Sequence, residues 1–285
     1  MYFGLTGAEF EISDFDFGHG VRIEATYAHI MAHYMLACNP PPEPGAHHPA
    51  PWIPAGSSHT FDVSVQLTIP EPMASTYLGG LLPAFWITKL LRLKSTPLLQ
   101  LAVTTTAPFS EIAAPQGPFG VRLLETTERR LAETLSESAA VSAAALEWTR
   151  DNWFESRGLT QNRSFGLAQE TLDRCVEVHN RPLATLYLWG ALEALFAPAR
   201  AELKFRISSA IACYLEPPGV GRHEMQKRVS KLYDARSAIA HGDKPKRGDK
   251  LEETYALLRR CITKVIEERH VPTRDELEER LFRSA

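Results

Sequence analysis

In the first half of the chain, apolar residues either alternate with polar ones or gather in short β-branched and aromatic blocks. VRIEATYA (21–28), FDVSVQLTI (61–69) and LLQLAVTTT (98–106) have this strand pattern. Between the first two, NPPPEPGAHHPAPWIP (39–54) carries seven prolines in sixteen residues. Proline cannot donate to a ladder and breaks a helix interior, so this stretch is expected to be an exposed loop. APQGPFG (114–120) is expected to be a second. From about Thr127 the apolar spacing turns helical. Helices are expected over 127–147, 164–179, 182–197, 201–215, 222–241 and 250–270, with a charged tail at 273–283. NRP (180–182) puts a proline where a helix starts, and EPPGVG (216–221) and DKPKRGD (243–249) end two more. Short connections between long helices predict an antiparallel bundle. The fold class is therefore α+β, with a β-rich or mixed N-terminal domain (1–126) followed by an all-α domain (127–285).

Composition narrows the class. Hydrophobic residues make up 44% and charged residues 23% of 285, the mix of a globular protein. Cys38, Cys175, Cys213 and Cys261 show no CxxC spacing and read as reduced core thiols, which points to the cytoplasm. The start of the chain lacks the pattern of a signal peptide, and no apolar run is long enough to span a membrane. The net charge of −3 argues against a general nucleic-acid binder, but its distribution is uneven. Arg222 to Lys250 holds nine Lys/Arg against four Asp/Glu, a local excess of +5.

That basic segment contains LYDARSAIAHG (232–242). Met225, Val229, Leu232, Tyr233, Ile239 and Ala240 lie within about 60° of one direction at helical spacing, and Arg236 sits at the centre of that arc. A guanidinium there needs a partner or a cleft. Gly242 suits the left-handed residue after a helix, which puts His241 in the last turn. A second copy of the spacing, Arg174 to His179, serves as a control: there the arginine points to solvent and the histidine falls on the apolar side. Glu193, inside an apolar run, is expected to neutralise Arg206 or Arg236. His29 and His33 lie four apart without a third ligand nearby, so no metal site is expected. Trp148, Trp153 and Trp189 are expected in the core or at an interface.

Three segments in order, LYLWGALEALF (186–196), ELKFRISSAIACYL (202–215) and KLYDARSAIAHG (231–242), resemble the HEPN domain of the ApeA-like group over roughly residues 160–270. The resemblance implies an α-helical bundle that forms a homodimer and acts as a metal-independent endoribonuclease, as a toxin or an antiviral effector, with no cofactor. Carried over by position, the catalytic pair is Arg236 and His241, with Glu193 and Arg206 as supporting polar residues. Ser237 stands where many members of the wider family have Asn, Asp or His.

The residue types suit RNA cleavage. The 2′-OH is the nucleophile, a histidine can exchange protons near neutral pH, and an arginine can hold two phosphate oxygens. A helix C-terminus is the wrong end for an anion, so Lys244, Lys246, Arg247 and Lys250 are expected to add positive charge and contact RNA. The competing reading is a non-catalytic HEPN dimerisation or RNA-binding scaffold. A third, a hydrolase site in the first half, finds no GxSxG, HExxH or GxxxxGK[ST] to support it. The N-terminal domain is expected to recognise a regulatory partner.

Overall fold

The structure, a computed structural model, describes residues 1–76, 80–112, 114, 117, 120–196, 203–243 and 248–282. The fold is α+β, and the chain divides into two compact units. One is Met1–Phe85 with Leu99–Thr126, the other Trp86–Leu98 with Thr127–Ala285. Residues 86–98, which carry no separate signal in the sequence, thus group with the helical unit.

The first unit contains β1 (Tyr2–Thr6), β2 (Glu9–Phe10), β3 (Asp14–Gly18), β4 (Val21–Ala37), β5 (Trp52–Thr68), α1 (Glu71–Thr76), the start of α2 (Leu81–Lys94), β6 (Gln100–Thr105) and β7 (Val121–Leu123). Six of the strands form one antiparallel sheet in the order β3-β4-β5-β1-β6-β7. Phe3, Leu5, Ile23, Leu67 and Leu101 are buried on one face as their alternation demands, while Val103, opposite Gly4, is buried with Val63 and Phe109 on the other. Gly4, in the central strand, has no room for a side chain: a Cβ would lie 2.7 Å from Val103 and 2.8 Å from Val63.

The strands outrun the sequence expectation. β4 and β5 pair from Arg22↔Thr68 out to Ala37↔Trp52. β3 covers β4 only at Val21–Glu24, and β1 covers β5 only at Val65–Thr68. Beyond those points the two strands continue as a two-stranded ribbon. The expected loop at 39–54 therefore ends early, because Trp52, Ile53 and Pro54 already belong to β5. Pro54 opposite Met35 is tolerated because, among the described residues, no further strand lies beyond it to need its missing N–H. The second proline-rich loop falls largely outside the described residues. α2 is a helix the sequence reading did not foresee; its run LLPAFWITKLLRLK is apolar nearly all round and shows no helical stripe.

The second unit contains the rest of α2, α3 (Ala132–Leu135), β8 (Ala140–Val141), α4 (Ala143–Ser156), α5 (Arg163–Arg174), α6 (Arg181–Phe196), α7 (Leu203–Leu215), α8 (Val220–Ala240), α9 (Leu251–Glu268) and α10 (Arg274–Phe282). α6 is the hub and packs on α5, α7, α8 and α9. It has almost no polar face, so it buries Leu188, Trp189, Leu192 and Phe196 completely. Trp153 is equally buried, while Trp148 is half-buried and donates to Glu267 at 2.8 Å. The helix expected at 127–147 is not continuous. Ser138 Oγ accepts from Ala140 N at 3.0 Å and competes with helical bonding there; Ser142 then caps a new helix by accepting from Ala145 N at 3.2 Å.

A charged cluster lies inside this unit. Asp173 on α5 accepts from Arg92 at 2.7 Å and from Arg129 at 3.3 Å, and the three side chains are 8%, 4% and 4% exposed. Arg129 also donates to the carbonyls of Pro97 at 2.7 Å and Asp173 at 3.0 Å. Burial alone would raise the Asp173 carboxyl, but Arg92 and then Arg129 hold it below its ordinary value. Of the four free thiols, Cys175, Cys213 and Cys261 are buried as expected, and burial pushes Cys175 and Cys261 up to about 12. Cys38 departs from the expectation: it is exposed, one residue past the end of β4.

Candidate active site at the end of helix α8

α8 ends as its sequence directs. Gly242 takes φ +79°, its N–H donates to Ile239 O at 3.1 Å, and Asp243 N–H donates to Ala238 O at 2.9 Å. This pair of reversed bonds satisfies carbonyls that the helix leaves open and fixes His241 as the C-cap. The His241 side chain is exposed.

Arg236, one and a half turns earlier, is turned inward. Met225, Val229, Leu232 and Ala235 form the buried stripe of α8, and Arg236 lies on its margin with 26% of its side chain exposed. Its Nη2 is 2.9 Å from Oε1 of Glu193 on α6, a residue 22% exposed. The expectation that Glu193 neutralises an arginine is met by Arg236. The contact is off the hydrogen-bonding axis: neither Glu193 Oε1 nor Arg236 Nε has a hydrogen-bond partner among the described residues. The guanidinium also lies 5.5 Å from the centre of the Tyr233 ring, which meets the buried Trp189 edge-on at 5.3 Å. Tyr233 as the support of the cation was not singled out in the sequence; the signal was its place three residues before Arg236, on the same helix face.

The structure does not bring His241 to Arg236 within one chain. Five residues on a helix turn through about 140°, and no hydrogen bond, ion pair or ring contact among the described residues joins the two side chains. Arg206 lies half-buried on the neighbouring α7, whose Lys204 reaches Asp234 of α8 at 2.6 Å. Lys250 takes a left-handed conformation before α9 and pairs with Glu253 at 2.8 Å. Lys244, Lys246 and Arg247 lie outside the described residues.

The control copy separates cleanly from this site. Arg174 is exposed, as expected, and pairs with Glu170 and Glu177 on its own turn of chain. His179 is not on the apolar side: α5 ends at Arg174, a 3₁₀ turn follows, and His179 is exposed beyond both. Extending the helical period past the true helix end produced the error. His29 and His33 lie on β4. His29 Nδ1 pairs with Asp62 at 2.7 Å. Among the described residues, no group of three His, Cys, Asp or Glu could hold a metal ion, and no helix is long and apolar enough to cross a membrane.

Compared with protein-family models, with curated proteins and with solved structures, the chain finds no match.

Proposed function

We propose that the helical unit is a metal-independent endoribonuclease of the HEPN type, acting as a homodimer whose site takes residues from both subunits. The observation that carries the reading is Arg236: an inward cation, set by Glu193 and Tyr233, a quarter open to solvent, on the helix that ends in exposed His241. Charge turned toward the interior of a bundle is costly, and a sequence retains it where it does something.

In this reaction the 2′-oxygen of RNA attacks the adjacent phosphorus, the P–O2′ bond forms and the P–O5′ bond breaks. His241 takes the proton of the 2′-OH or supplies one to the departing 5′-oxygen. Arg236 stabilises the charge on the phosphoryl oxygens. The 140° between Arg236 and His241 is why two copies are needed: the arginine of one subunit works with the histidine of the other. Such an enzyme fits a toxin or phage-defence effector in the cytoplasm.

The test is cleavage of RNA in excess EDTA. The expected products carry 2′,3′-cyclic phosphate and 5′-hydroxyl ends. Arg236→Ala and His241→Ala should each lower the rate by about 10²- to 10⁴-fold with unchanged circular dichroism, and each should abolish any toxicity on expression. Full activity of a folded His241→Ala would overturn the reading. One observation favours the scaffold alternative: within a chain, Glu193 already neutralises Arg236 and His241 stands apart. RNA binding and dimerisation without cleavage would establish that alternative.

A further inference from the structure

The β4–β5 ribbon is built unlike the rest of the sheet. Over Thr26–Ala37 the outer edge of β4 faces no other strand among the described residues, and the same holds for β5 over Trp52–Val63. Natural sheets blunt such edges with lysine, proline, glycine bulges or short strands, because unpaired N–H and C=O groups recruit further strands. β5 is protected in this way by Pro54 and Gly56. β4 is not. TYAHIMAHYMLA (26–37) holds no proline, no glycine and no Asp, Glu, Lys or Arg in twelve residues.

The ribbon also carries large apolar side chains in the open. Tyr27 is 70% exposed and Met31 59%; Tyr34, Leu36, Trp52 and Ile53 are close to half exposed or more. Phe109 packs at the base of the ribbon near Ala28, Ile30 and Phe61, so part of one face is covered there and the remainder is open.

We infer that the outer edge of β4 pairs antiparallel with the same edge of a second copy of this chain. The two ribbons then form one four-stranded sheet in the order β5-β4-β4-β5. Ala28–Ala32 is the stretch of β4 in unbroken register with β5, between the irregularities at Ala25–Ala28 and at Ala32–His33, so the twofold axis falls near Ile30.

Three observations select a second copy. A strand edge needs a strand to satisfy its backbone groups, which a lipid interior cannot do. No lysine or arginine occurs between Arg22 and Lys89, so the ribbon offers no permanent cation to phosphates or anionic headgroups, and residues 26–37 hold no Asp, Glu, Lys or Arg to repel their own copy. Five of the exposed apolar side chains, Tyr27, Met31, Tyr34, Met35 and Leu36, lie on β4 itself, beside the edge that pairs. An edge paired with itself across a twofold axis is self-complementary and closes without a further component. This interface belongs to the strand-rich unit, and it stands or falls separately from the ribonuclease reading.

Two measurements on the full chain test it. Amide hydrogen exchange of the wild-type protein should show protection over 26–37 that rises with protein concentration. In sedimentation equilibrium, Tyr27→Lys with Met31→Lys should weaken self-association at least tenfold while circular dichroism stays unchanged. RNA cleavage, where present in the wild type, should depend on the helical unit and not on this pair. Concentration-independent exchange over 26–37 would overturn the inference, and it does so without any variant. So would an unchanged mass in the folded double variant. Recruitment of the wild type to phosphatidylcholine vesicles, abolished by the same double substitution, would assign the ribbon to a membrane surface and equally overturn it.

Discussion

The Asp173 cluster gives the sharpest quantitative prediction. Asp173→Ala removes a carboxylate that two guanidiniums share at 2.7 and 3.3 Å, in a place where none of the three side chains is more than 8% exposed. Two charge-assisted hydrogen bonds are worth about 1.5–3 kcal/mol each. Breaking a buried ion pair by deleting one member costs about 3–5 kcal/mol, because the remaining charge has no water to return to. Glu177, 3.6 Å from Arg129, stays in place and holds the cost near the middle of that range, about 4 kcal/mol. For a unit of this size that corresponds to a fall of about 8–16 °C in Tm. Guanidinium unfolding followed by the fluorescence of the buried Trp153 and Trp189 would measure it. Arg174→Ala is the matched control. That side chain is 65% exposed, and its loss should cost under about 1 kcal/mol. A loss in Asp173→Ala no larger than in Arg174→Ala would refute the claim that the cluster holds the unit together.

The same cluster fixes a pH dependence. The folded Asp173 carboxyl lies below its ordinary value, so its contribution is complete above about pH 4 and is lost as pH falls through the folded value. The stability gap between the wild type and Asp173→Asn should therefore close in acid and stay constant between pH 5 and 8, a range set by ordinary carboxylate titration at about pH 4.

Two further predictions concern helix ends. Gly242→Ala forces a Cβ into φ +79° with open space around it, so the cost is backbone strain alone, about 1 kcal/mol, read as a fall of a few degrees in Tm; no change would refute the cap. Glu276 is held down to about 2, first by His270 and then by the backbone N–H of Thr273, so its contribution to the start of α10 is present above about pH 4.3 and is lost as pH falls toward 2; a carboxyl resonance of Glu276 titrating near 4.3 would contradict this.

The helical half was legible because its punctuation is chemical. Asn162 accepts from Ser164 and Phe165 N–H groups, Asn180 from Leu183, and Gly242 closes α8; each is a residue type chosen by the orphan groups of a helix end. Arg236 and Glu193 were legible for a related reason, since a charge in an apolar run demands a partner. α2 was not legible, because a helix buried on several sides has no stripe. The outer ribbon of β4 and β5 was missed for the opposite reason: its alternation does not divide inside from outside, so apolar Met31 and Tyr34 face solvent where a strand signal expects a core. The cluster of Arg92, Arg129 and Asp173 joins residues far apart in the chain, and no local spacing announces such a contact.

Among the described residues, the arginines at Asp173 and at Glu193 differ in a way that bears on what each is for. At Asp173 the geometry is saturated. Arg129 alone donates to two carbonyls and to the carboxylate, and the cluster lies deep between α2 and α5. Charges bonded on every side in this way are how a structural charge is kept. At Arg236 the geometry is unfinished. The approach of Glu193 is close yet off axis, Nε lacks a hydrogen-bond partner among the described residues, and a quarter of the side chain meets solvent. A bundle held together by this pair would be expected to complete its hydrogen bonds. The two atoms left open are themselves buried, so a phosphate would meet only the exposed quarter of Arg236, with the carboxylate and the aromatic ring orienting the cation. The exposed part of Arg236, which the Asp173 cluster lacks, is what the proposed chemistry at the end of α8 rests on.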